Sequence, residues 1–180
     1  MVRIKFAIAV IMLLAGMNVP AQSQDIKVMS FNIRYNNPAD GINNWENRRG
    51  WLCGYIRFSE ADFIGGQEVM KPQLSDMRKN LPAYSYIGIA RNGNEEGEYC
   101  PIFYKADRFE VLEQDTFWLS ETPDKIDSRG WDAALPRIVT WGQFKDKISG
   151  NEVYIFNTHF DHRGELSRLE SARLLMKKVK

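Results

Sequence analysis

Five polar residues fall where apolar, strand-forming runs begin or end, and their types suit the handling of a phosphate. Asn32 closes the first run and Glu68 the second, Glu98 precedes the fourth, and Asn157 and His159 end the last. Strands fix such groups while the adjoining loops leave them open to a substrate. A carboxylate beside an amide oxygen suits a hard divalent cation such as magnesium, which takes oxygen ligands and keeps several waters. A histidine nearby suits phosphoryl chemistry, as a proton carrier or as a donor to the non-bridging oxygens. Taken singly, each residue also has a plainer reading. An Asn at a strand end forms turns, an exposed Glu is a solvated charge, and a lone His is often a satisfied structural group. Their order along the chain lifts the chemical reading.

Periodicity predicts the elements that position these residues. Asp25 to Ile33 alternates and then turns apolar at Ile26, Val28, Met29, Phe31 and Ile33, which predicts a strand. A loop rich in Asn, Pro and Gly runs from Tyr35 to Asn44. Trp45 to Phe58 carries Trp51, Leu52, Tyr55 and Ile56 at helical spacing. Ala61 to Val69 reads as a short buried strand containing Gly65 and Gly66, and Lys71-Pro72 opens a helix through Leu74, Met77 and Leu81. Tyr84 to Ala90 is a further strand, and Tyr99 to Tyr104 and Phe109 to Thr116 read as a strand pair. A long loop from Ser120 to Pro136 leads to strands at Ile138 to Phe144 and Val153 to Asn157, joined as a hairpin. Leu166 to Val179 is a final helix with apolar positions Leu169, Ala172, Leu175, Met176 and Val179. Strands interrupted by helices predict a layered α/β sandwich.

Composition narrows the class. In 180 residues, 44% hydrophobic and 12% aromatic content is enough for one domain with a real core and excludes a disordered chain. A net charge of +1 gives no electrostatic case for duplex nucleic acid. Residues 1–23 show a basic start, an apolar run from Phe6 to Leu14, and small residues up to Ser23. That is the pattern of a secretory signal peptide, so the mature chain is expected to begin near Gln24 or Asp25 and to be exported, periplasmic or extracellular. The apolar run is too short to span a bilayer comfortably, no cysteine follows it, and no stable membrane anchor is expected. Cys53 and Cys100 would lie where a disulfide is allowed. Two free, buried thiols are the simpler reading.

The motifs then become recognisable as a set. Ser30-Phe31-Asn32-Ile33-Arg34-Tyr35, Gly66-Gln67-Glu68-Val69, Gly97-Glu98-Tyr99-Cys100-Pro101-Ile102-Phe103-Tyr104, Pro136-Arg137-Ile138-Val139-Thr140-Trp141 and Asn157-Thr158-His159-Phe160-Asp161-His162 follow in that order. The chain resembles the endonuclease/exonuclease/phosphatase superfamily, most of all its secreted bacterial branch. The resemblance implies a layered α/β sandwich of the deoxyribonuclease and exonuclease III type over residues 25–180. It implies Glu68 as the principal metal ligand with Asn32 beside it, and magnesium as the cofactor, with manganese or calcium able to replace it. It implies His159 as the catalytic histidine, held by Glu98, with the pair keeping the imidazole cationic. Arg137 is implied to contact the scissile phosphate, and Asn157 to bind substrate. Asp161, His162 and Arg168 belong to the same branch's motif, with a structural hydrogen-bond network as the alternative role. Trp141 is expected in the core, and Trp118 and Trp131 either in the core or against a ligand.

The resemblance also implies a Gly-Asp-x-Asn stretch and an Asp-His pair beyond the final helix. The sequence stops at Lys180 without them. The expectation is therefore a partial domain, incomplete at the carboxy terminus, in which groups that act together are divided and activity is impaired. Two functions remain open. One is metal-dependent hydrolysis of a small phosphorylated or phosphodiester substrate by water. The other is a non-catalytic half-domain. Nucleic acid is the less favoured substrate.

Overall fold

The computed structural model describes residues 25–179. The expected signal peptide, residues 1–23, lies outside the described residues. Seven strands and three α-helices follow in order: β1 (Val28–Asn32), α1 (Trp45–Ser59), β2 (Phe63–Gln67), α2 (Lys71–Asn80), β3 (Tyr84–Ile87), β4 (Ile102–Lys105), β5 (Phe109–Trp118), β6 (Ile138–Asp146), β7 (Glu152–Thr158) and α3 (Glu165–Val179). A 3-10 turn at Pro38–Asn43 occupies the loop before α1.

The strands form two sheets, one ordered β1-β2-β4-β3 and the other β5-β6-β7. β1 and β2 run parallel, which requires a crossover, and α1 supplies it. The remaining pairs are antiparallel. β4 and β5 do not pair with each other, contrary to the sequence expectation. Both edges of β4 are taken, by β2 and β3, so the chain must pass to the second sheet. The sheets pack face to face through Phe63, Ile87 and Ile102 from the first and Phe109 and Phe144 from the second. Phe63 lies 4.4 Å from Phe109 and 4.9 Å from Phe144, ring centre to ring centre, within the range of favourable aromatic contact. α1 and α2 cover the outer face of the first sheet through Leu52, Ile56, Leu74 and Met77. α3 covers the second through Leu174 and Leu175. The layers are thus helix, sheet, sheet, helix.

Two helices turn their faces differently from the sequence reading. In α1 the buried residues are Trp45, Leu52, Cys53 and Ile56, while Trp51 is 70% exposed and stacks on Tyr55 outside the core. In α3 the small side chains of Ser167 and Ser171 are buried, and Leu169, Met176 and Val179 face outward. The carboxylate of Asp132, from the long loop, accepts from the backbone N–H groups of Ser167 (2.6 Å) and Leu166 (3.3 Å), capping the first turn of α3 from a distance. Cys53 and Cys100 are free, buried thiols, in line with the simpler expectation.

Candidate active site

Strand register assembles the site. Because β1 and β2 are parallel and pair Asn32 with Gln67, their carboxyl ends coincide and Glu68 emerges beside Asn32. The Asn32 amide donates to Glu68 Oε1 (2.9 Å) and the Tyr35 backbone N–H donates to Glu68 Oε2 (3.0 Å). The turn that allows this carries two non-glycine residues in the left-handed region, Arg34 (φ 60°) and Glu68 (φ 58°). Such backbone persists only where surrounding bonds over-determine it. Here the Asn32 side-chain Oδ1 accepts from the Arg34 backbone N–H, and the Arg34 backbone carbonyl accepts from Gln73 Nε2 and Arg48 Nη2.

The second sheet delivers the histidine by the same logic. β6 and β7 pair Val139 with Thr158, so Arg137, just before β6, lies beside His159, just after β7. The Thr158 hydroxyl donates to the Ile138 carbonyl at 2.7 Å and fixes that corner. Asn157 joins the two sheets. Its Oδ1 accepts from Gln67 Nε2 (2.7 Å), and its Nδ2 donates to the carbonyls of Gly66 (2.8 Å) and Pro101 (2.9 Å). Glycine at 65 permits the approach: a Cβ there would sit 2.7 Å from Asn157 Oδ1. With both amide hydrogens engaged and only 6% exposure, Asn157 locks β7 onto β2 and the start of β4.

Charge is unevenly shared among these groups. Burial alone would raise the Glu68 pKa, but the Asn32 amide, the Tyr35 N–H and the nearby Arg34 charge hold it below the usual glutamate value. His159 is also shifted down, first by burial and then by the Arg137 charge, against the opposing pull of Glu68 and Glu98. The expected cationic Glu98–His159 pair is therefore not what the structure shows. Glu98 accepts instead from Arg91 Nη1 at 2.7 Å, and at the imidazole burial with the Arg137 charge outweighs the pull of Glu68 and Glu98. Burial, with the Glu98 charge, pushes the Cys100 thiol up to about 12, so it stays protonated and unreactive.

Arg137 is 4% exposed, and its fork of donors is shared among three side chains. Nε donates to Asp161 Oδ2 at 3.1 Å, Nη2 meets His162 Nδ1 at 3.0 Å, and Nη1 meets His159 Nδ1 at 3.5 Å. Asp161 is anchored in turn by the backbone N–H groups of Gly164 (2.8 Å) and Arg163 (2.9 Å). Burial would raise its pKa, yet those N–H groups, with Arg137, hold it well below the aspartate value. Arg168 donates to the Asp161 carbonyl at 3.2 Å, so the motif's last three residues form a hydrogen-bonded network. Trp118 is core, its indole N–H donating to the Arg91 carbonyl, while Trp131 is half-buried.

The donor set fits a divalent cation in a limited way. Among the described residues no three His, Cys, Asp or Glu side chains gather as a metal cage. Glu68 is ionised, half-buried, and accepts one hydrogen bond on each oxygen, which leaves lone pairs for an ion. One carboxylate with waters and substrate oxygens is how magnesium is commonly held. Gln67 and Gln73 escaped the sequence reading. Both are buried glutamines whose amides tie the site's loops, and the only signal was the position of Gln67 within the Gly66-Gln67-Glu68-Val69 motif.

A sandwich of two sheets between helices, with a carboxylate, an amide and a histidine at one end, defines a layered α/β class with a polar site at the strand ends. Comparison with known proteins gives the class its family. An endonuclease/exonuclease/phosphatase from Bacteroides vulgatus is 47% identical and superposes with a TM-score of 0.86, over 87% of this chain and 60% of its own. A mannosyl-6-phosphatase from Bacteroides thetaiotaomicron is 43% identical with a TM-score of 0.84, over 87% of this chain and 59% of its own. An uncharacterized protein of Acanthamoeba polyphaga mimivirus is 32% identical over 146 residues, 76% of this chain and 54% of its own length. No protein-family model matches the chain. The chain belongs to the endonuclease/exonuclease/phosphatase superfamily. It spans between 54% and 60% of the length of these three relatives.

Proposed function

We propose that this chain serves the metal-dependent hydrolysis of phosphoester bonds, with water as the nucleophile. The observation that carries the reading is the convergence of Asn32, Glu68 and His159 at one end of the two sheets. Glu68, with Asn32 beside it, would hold a divalent cation, which would supply Lewis-acid polarisation and charge neutralisation when bound. His159 donates a hydrogen bond to the phosphate where negative charge develops, which acts more strongly in a half-buried site than in water. The name of the Bacteroides thetaiotaomicron relative supports a sugar phosphomonoester as the first substrate to try. Residues 1–23 support action outside the cytoplasm.

A second reading has its own support. Among the described residues no three His, Cys, Asp or Glu side chains gather, so Glu68 would hold an ion mainly through waters. On that reading it binds metal and phosphate without turning substrate over. Hydrolysis of sugar phosphates and phosphodiesters with magnesium, by the chain and by His159→Ala, separates the two. Turnover that falls by about a hundredfold or more in His159→Ala supports the hydrolase. Metal binding with no turnover above background supports the second reading.

A further inference from the structure

Arginine carries only donors, five N–H groups in a planar fork, and has no atom that accepts. An imidazole nitrogen facing that fork at hydrogen-bond distance must therefore present a lone pair. Two imidazoles face Arg137 here, and both do so through Nδ1: His162 at 3.0 Å and His159 at 3.5 Å. A neutral imidazole with a lone pair on Nδ1 carries its proton on Nε2. We infer that Arg137 is a positioning residue that fixes both histidines as the Nε2–H tautomer, so that His159 offers Nε2–H to the substrate.

Other features give the arrangement its rigidity. The third arm of the fork is held by Asp161 through Nε, and Asp161 is 2% exposed. Its other oxygen accepts from the backbone N–H groups of Arg163 and Gly164, which begin the approach to α3. The chain of contacts thus runs from backbone to carboxylate to guanidinium to two rings. A proton on Nδ1 of either ring would set N–H against N–H and leave an N–H of the buried Arg137 without its acceptor. Arg137 thereby aims the group that is proposed to meet the phosphate. Its effect on hydrolysis rests on the proposed function, but the tautomer does not.

The chain contains only two histidines, so nitrogen-15 NMR of the imidazole rings reads both directly. In the unaltered chain at neutral pH, both rings should show an unprotonated Nδ1 and a protonated Nε2. In Arg137→Lys, which keeps one positive charge but loses the fork, at least one ring should shift to a mixture of tautomers. A proton on Nδ1 of either ring in the unaltered chain overturns the inference. So does a folded Arg137→Lys with both rings unchanged. Should that variant fail to fold, the unaltered spectrum decides alone. Absence of hydrolysis would count against the proposed function and leave the tautomers to be read as before.

Discussion

Two buried arginines sit at opposite ends of the same strand and do different work. Arg137 precedes β6, and Asp146, a partner of Arg108, closes it nine residues on, a span of about 30 Å. Arg108 bridges two carboxylates: Nη1 donates to Asp62 (3.0 Å), and Nε and Nη2 donate to Asp146 (3.3 and 3.0 Å). Lys105 adds a second cation at Asp62, and Ile148 N and Ser149 Oγ add donors at Asp146. Anions and cations are matched there, and the cluster joins the start of β2 to the end of β6. Arg137 meets one carboxylate and two imidazoles. A residue type that bolts one end of the sandwich together aims titratable rings at the other, and the difference lies in what the fork is given to hold.

The largest effect should come from the bolt. Arg108→Leu leaves two buried carboxylates without their main partner and should cost roughly 3–5 kcal/mol in urea unfolding. The histidine ring signals should stay where they were, because the site lies at the other end. Movement of those signals would break the separation between the regions. Gly65→Ala strikes the site end, where a methyl group would press on an Asn157 amide that its hydrogen bonds hold in place. It should cost about 1–3 kcal/mol in the same measurement. A neutral result would mean that Asn157 is freer than its bonds suggest.

Acid sharpens the comparison further. Asp146 is held at about 2 by Arg108 against a contrary push from burial, with Ile148 N and Ser149 helping. Its folded pKa is below its unfolded value near 3.8, so its stabilisation is present above that value and is lost as pH falls through about 2. His159 also has a lowered folded pKa, but as a base. The unfolded chain binds its proton more readily, so stability starts to fall as pH drops below the ordinary histidine value of 6.5. Urea midpoints between pH 7.5 and 5 should decline slightly, and His159→Gln should flatten that decline. An unchanged slope in His159→Gln would remove the burial account of this ring.

Local pattern made much of this legible. The strands bearing Asn32, Glu68 and His159 announced themselves by period and by the polar residue at each end, because strand, turn and functional group are adjacent in sequence. The division of β4 and β5 between sheets was not legible, because it depends on β3 and β2 already holding both edges of β4. The outward stacking of Trp51 on Tyr55 escaped for a related reason: helical spacing offers two faces, and Leu52, Cys53 and Ile56 took the core. The Arg137 fork escaped because its partners lie more than twenty residues away and meet it only through the β6–β7 register. The satisfied amide of Asn157 was hidden likewise, since its partners Gln67, Gly66 and Pro101 belong to the other sheet.

Calorimetric titration of magnesium or manganese into the chain, Glu68→Gln and His159→Ala tests the proposed site most directly. Glu68→Gln should weaken binding at least about tenfold, roughly 1.4 kcal/mol, while His159→Ala leaves it nearly intact. Equal affinity in Glu68→Gln and the unaltered chain would contradict the assignment of Glu68 as the ligand, and with it the metal-dependent reading of the site.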